Sequence, residues 1–171
     1  MALEIERRFL VASDGWRFLA GAAQPLRQGY LAGSREGFTV RLRLRDSDQG
    51  LAEQAWLTLK APAAGFARHE FEYAIPVADA EDLWQLAPHR LTKTRFALAC
   101  PGGDWVVDVF AEENAPLVLA EVELPVADAP LELPPWCGRE LTGDDRWSNA
   151  ALAHQPLASR PREWLKAFDL L

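Results

Sequence analysis

The chain has 171 residues, enough for one domain with a substantial core. Hydrophobic residues make up 49% and charged residues 25%, a balance that suits a folded globular protein, and a net charge of -7 argues against broad attraction to nucleic acid or an anionic membrane. Two cysteines, Cys100 and Cys137, without CxxC spacing or a nearby histidine cluster, argue against a disulfide framework or a zinc site. The N-terminus shows no basic segment followed by an apolar run, and no apolar run approaches ~18 residues. The expectation is a single cytoplasmic domain over 1–171, with no membrane or nucleic-acid partner.

Alternation of apolar and polar residues dominates and predicts strands. The opening "LEIERRFLV" is the first. "SDGWRFLAG" follows as a short helical segment with Ser13 or Asp14 as its cap. "PLRQGYLA" is a second strand, with "SREG" after it as a turn. "FTVRLRLRD" alternates most clearly, and "QAWLTLKA" and "RHEFEYAIP" come after it. "DAEDLWQLA" reads as a helix with Asp79 as its N-cap and acidic residues in its first turn. "TKTRFALAC", "DWVVDVFA" and "LVLAEVELP" complete the strands. The proline-rich "APLELPPWCGRE" reads as a loop. "DDRWSNAALAHQ" and "PREWLKAFDLL" read as helices over about 144–171, the second opened by Pro161. That last segment would close one end of the molecule or mediate a homodimer. Five tryptophans (Trp16, Trp84, Trp136, Trp147 and Trp164) fall in helical or loop segments and suit helix packing. His69, His89 and His154 are scattered without metal-ligand spacing.

On a strand, alternate side chains share a face. Glu4, Glu6 and Arg8 therefore share one, as do Arg41, Arg43 and Arg45, and Lys60 is in step on its own strand. Glu70 with Glu72, Lys93 with Arg95, Asp108, and Glu121 with Glu123 repeat the pattern. The opposite faces are apolar: Ile5, Leu42, Leu44, Leu57, Leu59, Phe71, Phe96, Val107, Val109 and Val122. For any one strand, the ordinary reading is a solvated face over a packed one. The whole set fits that reading less well. Arginines at alternate positions repel unless an anion lies over them, and paired glutamates repel unless a cation joins them. A closed or nearly closed barrel with a charged lumen accounts for the set, its apolar outer faces covered by helices. Arginine forks bind phosphate oxygens, and glutamates hold Mg²⁺ or Mn²⁺. A polyphosphate–metal complex satisfies both groups.

These segments resemble a known family. "EIERR" is similar to the ExExK signature of the CYTH domain, or triphosphate tunnel metalloenzyme, superfamily. "LRQGYL", "VRLRLR", "LTLK", "EFEYAIP", "KTRF", "DVF" and "AEVELP" follow in the order and rough spacing of its small bacterial members, over residues 3 to about 150. The resemblance implies an α+β, mostly β fold: an eight-stranded antiparallel β-barrel over about 3–125, with helices packed on the outside. It implies a triphosphate bound in the tunnel and a divalent cation, Mg²⁺ or Mn²⁺. Carried onto this chain, Glu4, Glu6, Glu121 and Glu123 fall on metal-binding positions, with Asp108 a further one. Arg41, Arg43, Lys60 and Arg95 fall on phosphate-binding positions, with Lys93 a further one. Tyr30 either touches substrate or is a rim aromatic. The signature lysine falls on Arg8, which keeps the charge but differs in shape and hydration. That departure bears on catalysis more than on anion binding.

The implied activity is metal-assisted hydrolysis of the terminal phosphoanhydride of inorganic tripolyphosphate or a related triphosphate. Arg8, Glu70 and Glu72 are candidates for its catalytic step, although the two glutamates could instead bind metal or anchor arginines across the barrel. ATP cyclisation of the class IV adenylyl cyclase kind, and non-catalytic binding of polyphosphate or nucleotide, stay open as alternatives.

Overall fold

A computed structural model describes residues 3–33 and 37–171. Most of the expected "SREG" turn lies outside the described residues. The strands are β1 (Leu3–Glu4), β2 (Glu6–Val11), β3 (Ala20–Gly33), β4 (Thr39–Asp46), β5 (Ala52–Pro62), β6 (Arg68–Ala74), β7 (His89–Leu98), β8 (Asp104–Phe110), β9 (Val118–Glu123) and β10 (Cys137–Glu140). All pair antiparallel in one sheet of order β1-β6-β5-β4-β3-β7-β8-β9-β2-β10. The helices are α1 (Val77–Leu86), α2 (Asn149–His154) and α3 (Arg162–Ala167), with short 3-10 turns between them. Among the described residues, no helix is long and apolar enough to cross a membrane.

The opening segment joins the two ends of this sheet. Leu3 and Glu4 pair with His69 and Arg68 of β6, while Glu6 to Leu10 pair with Glu123 to Leu119 of β9. One residue, Ile5, lies between the two ladders. The sheet therefore rolls into a tunnel without closing into a continuous hydrogen-bonded ring. Eight strand segments were expected. The sheet has ten because the first segment divides at Ile5 and because β10 pairs with the far end of β2, Cys137 opposite Val11 and Glu140 opposite Phe9. Within the "APLELPPWCGRE" loop, the short "CGRE" strand carries no alternation of its own and forms because β2 has an edge to offer there.

Two apolar layers cover the outer wall. Leu42, Leu44 and Ala55 pack against Ala80, Leu83 and Trp84 of α1. Phe9, Val107, Ala120 and Val122 pack with Trp16, Trp105 and Trp136, where Trp16 belongs to the 3-10 segment Asp14–Leu19. Pro76, not Asp79, occupies the N-cap of α1. Phe71 and Tyr73, on the outer face of β6, stay 43% and 58% exposed, so helices cover only part of that wall. The C-terminal helices meet a different surface. Leu152, Leu157, Leu165 and Phe168 pack with Trp147 against Tyr30, Leu91, Phe110 and Leu119, which lie on the inward side of their strands. His89 and His154, scattered in sequence, meet here with ring nitrogens 3.0 Å apart.

Gly29 shows how closely α1 sits on the sheet. A Cβ placed on it would lie 2.8 Å from the Cβ of Ala87, a rigid neighbour at the end of α1. Gly29→Ala is expected to cost about 1–3 kcal/mol through overpacking. For a chain of this length each kcal/mol moves the melting temperature by about 2–4 °C. A thermal melt within 1 °C of wild type would show that α1 gives way without cost.

Candidate functional site

The inward faces surround a cavity of about 890 Å³. The charged strand residues of its wall arrive by strand alternation, register then sets opposite charges side by side, and Thr142, Asp144 and the start of α2 complete the lining from outside the sheet. Arg8 of β2 lies opposite Glu121 of β9, Arg95 of β7 opposite Asp108 of β8, and Lys60 of β5 opposite Glu70 of β6. Of the residues expected from sequence, Glu4, Glu6, Arg8, Tyr30, Arg41, Arg43, Lys60, Glu70, Arg95, Glu121 and Glu123 line the cavity. Arg45, at the end of the arginine row, does not.

One cluster centres on Arg8. Its Nε donates to Glu121 (2.9 Å) and its Nη2 to Glu6 (2.6 Å). Arg95 donates to Glu121 (3.1 Å) and, through two nitrogens, to Asp108 (2.8 Å each). Burial alone would raise the Glu121 carboxyl, but Arg8, Arg95 and Lys93 outweigh it and hold the group down to about 2. Burial works against the Arg8 charge, yet Glu121 and Glu6 keep its pKa above the ordinary value. Both groups are therefore ionised at any physiological pH.

Asp108 and Lys93 lie behind the wall, not in the cavity. Both side chains are fully buried, and Lys93 Nζ donates to Asp108 (2.6 Å) and to Asn149 of α2 (2.8 Å). Asp108 was expected at a metal position. Its two oxygens are instead taken up by Lys93 and Arg95, whose charges hold it below the usual carboxylate range despite burial. Burial, followed by the neighbouring cation Arg95, pushes Lys93 down to about 7.

A second cluster lies along β5 and β6. Lys60 Nζ contacts both Glu4 and Glu70, the latter at 2.7 Å. Arg41 Nη2 donates to Thr58 (3.0 Å) and Glu72 (3.2 Å), and the Thr58 hydroxyl donates to Glu72 (2.8 Å). Burial, and then the negative charge of Glu6, pushes Glu4 up to about 7. Burial would also raise Glu70, but Lys60 and hydrogen bonds from Glu4 and Lys60 bring it down to about 2. Glu72 stands beside the cavity as the partner of Arg41.

Between the clusters the positive charge is under-compensated. The nearest carboxylate contact of Arg43 is Glu72 at 4.0 Å. Burial and the repulsion of Arg41 and Arg95 lower its pKa to about 10. The buried Nε of Arg41 has no hydrogen-bond partner. A buried guanidinium donor without a partner costs stability unless an anion accepts it, so the middle of the cavity is built to receive one. Sequence reading missed Gln28, Thr58 and Asn149. Gln28 and Thr58 share the parity of their charged neighbours, which is a usable signal. Asn149 reaches Lys93 only through the docking of α2, which alternation does not encode.

Comparison with known proteins fits this geometry. The family model described as CYTH domain matches residues 2–147. The chain belongs to the CYTH domain family. Among its CYTH relatives, an inorganic triphosphatase of Acetivibrio thermocellus is 36% identical over 158 residues, covering 91% of this chain and 96% of the relative. An inorganic triphosphatase of Nitrosomonas europaea is 40% identical over 156 residues, covering 88% and 96%. A crystal structure of the inorganic triphosphatase NE1496 superposes with a TM-score of 0.61 at 40% identity, covering 92% of this chain and 99% of that one. At 19% identity, the PH1819 protein from Pyrococcus horikoshii shares the fold with a TM-score of 0.55, covering 72% and 78%.

Proposed function

We propose that this CYTH protein is an inorganic triphosphatase, hydrolysing the terminal phosphoanhydride of tripolyphosphate in the charged cavity. The observation that carries the reading is the buried Arg41–Arg43 pair, in which Arg43 has no carboxylate nearer than 4.0 Å and the Arg41 Nε has no hydrogen-bond partner. The names of the relatives at 36% and 40% identity support it. Arg41, Arg43, Lys60, Arg95 and Arg8 bind the phosphate chain and stabilise the charge that develops as the bond breaks. Tyr30 faces the same space as a neutral hydrogen-bond donor.

A divalent cation fits the carboxylates. Glu4, Glu6, Glu121 and Glu123 are hard oxygen donors around one cavity, and the raised Glu4 is a carboxylate that a cation would relieve. Among the described residues, no three acidic, histidine or cysteine side chains already converge as an ion cage. Glu6, Glu121 and Glu4 must therefore turn from Arg8 and Lys60 toward an ion. Mg²⁺ or Mn²⁺ held there would neutralise phosphate oxygens. Glu70 and Glu72 are anchors of Lys60 and Arg41, and a carboxylate held near 2, as Glu70 is, makes a weak general base.

The test is orthophosphate release from tripolyphosphate and from ATP, with Mg²⁺ or Mn²⁺ and with chelator. Wild type is expected to release phosphate from tripolyphosphate only with metal. Glu4→Ala/Glu6→Ala is expected to lose at least about 100-fold, because losing even one partner that only orients a metal ligand costs up to that much. Unchanged turnover in the double variant would overturn the metal assignment. Cyclic AMP as the product from ATP would overturn hydrolysis.

A further inference from the structure

Gln28 is fully buried on the inward side of β3, two residues from Tyr30 and directly opposite Arg43. Arg43 Nε donates to Gln28 Oε1 (3.2 Å), and Gln28 Nε2 donates to the Tyr30 phenol oxygen (3.2 Å). Chemistry fixes this orientation. A guanidinium only donates, so the amide oxygen must face Arg43 and the amide NH₂ must face Tyr30. A phenol has one proton to give. With its oxygen accepting from the amide, that proton turns away from Gln28, and the open direction is the cavity that Tyr30 lines.

We propose that Gln28 is a positioning residue that holds the Tyr30 phenol proton toward the triphosphate cavity. There the phenol donates to a phosphate oxygen or to water beside it; the identity of that acceptor rests on the function proposed above. Arg43 thereby acts twice. Its outer nitrogens remain for phosphate, and its Nε sets the amide that sets the phenol. Burial keeps the Tyr30 phenol protonated above its ordinary value, as a donor must be. The "QGY" motif then divides its labour by parity. Gln28 and Tyr30 face inward, and Gly29 lets α1 close on the outside.

Gln28→Glu is close to isosteric and tests the polarity. The carboxylate it introduces accepts from Arg43 and also from the phenol, pulling the proton off the cavity. The chain has two tyrosines, so in a Tyr73→Phe background Tyr30 is the sole phenol. The Raman Fermi doublet of that phenol is expected to change from the pattern of a phenol that both accepts and donates to a donor-only pattern in Gln28→Glu. In Gln28→Met, which keeps length but removes both bonds, the accepting component is expected to vanish. On tripolyphosphate, Gln28→Glu is expected to lower kcat about 10–100-fold in wild type, the value of one hydrogen bond to a charged group. In a Tyr30→Phe background the loss is expected to be clearly smaller, because only the charge set beside Arg43 then acts and the contribution through the phenol is gone. An unchanged doublet, or equal losses in both backgrounds, overturns the proposal. A wild type that releases no phosphate overturns the proposed function instead, and the doublet still decides the role of Gln28.

Discussion

Asp108→Asn is expected to destabilise the protein by about 3–5 kcal/mol, the cost of removing one partner of a buried ion pair. The melting temperature should fall by on the order of 10 °C. Asp108 is the fully buried acid between Lys93 and Arg95. Removing its charge leaves Lys93 enclosed with a neutral amide from Asn149 and the repulsion of Arg95. Lys93 then gives up its proton more readily than before. Its value in the fold is already about 7, against an ordinary 10.5. Across that window the unfolded chain carries a proton that the folded chain lacks, so stability rises with pH. Both proteins share that rise, so the deficit of Asp108→Asn relative to wild type should stay level from pH 8 to pH 10 and grow as pH falls below 7, where wild-type Lys93 regains its proton beside Asp108 and the variant's does not. Melts at a series of pH values check this. A deficit below 1 kcal/mol at pH 7 would show that Asp108 is not what sustains the buried cations.

Arg41→Ala is expected to lower kcat/KM on tripolyphosphate by about 10²–10³-fold, the usual range for removing one preorganised donor at developing charge. Its melting temperature should shift by a few degrees at most. The asymmetry follows from where its bonds go. Thr58 and Glu72 can still bond each other when Arg41 is removed, and Glu72 is one-third exposed to water. The unpartnered Nε costs stability unless an anion accepts it, so its removal is felt as a loss only when an anion is bound. Arg41→Lys should recover part of the loss, because an ammonium restores charge but not the fork that meets two oxygens. Steady-state kinetics of both variants decide the matter. Losses of less than tenfold in Arg41→Ala would place the phosphate chain elsewhere in the cavity.

The sequence carries the faces of the strands well and their depth poorly. Arg41 and Arg43 alternate with Leu42 and Leu44, and period-two alternation is a direct consequence of strand geometry. The inward set was readable for that reason. Asp108 shares a face of the sheet with Glu121, and alternation carries no sign that both its oxygens meet buried cations. The break at Ile5 was also invisible, because "LEIERRFLV" alternates without interruption across it. Its division comes from β6 and β9, which meet the segment from different sides. The "CGRE" strand was hidden among prolines, and it forms on an edge that only the folded sheet presents. Gln28 is uncharged and does not stand out in a pattern of alternating charge.

The seam at Ile5 also bears on how the molecule is made. β1 and β2 leave the ribosome before β3 to β10, yet β2 pairs with β9, far along the chain. The intervening strands can form successive hairpins, β3 with β4, β4 with β5 and β5 with β6, from near neighbours. Closing the tunnel must wait for a contact between distant parts of the sequence, the slow class of event in folding. Arg8 has no Glu121, and Lys93 no Asn149, until that closure and the docking of α2 are complete. A nascent chain released before β9 emerges would hold the N-terminal carboxylates and the arginines of β4 without the geometry that balances them. The charge cluster is thus assembled late and as a unit, and chains halted short of β9 should be the ones most readily degraded.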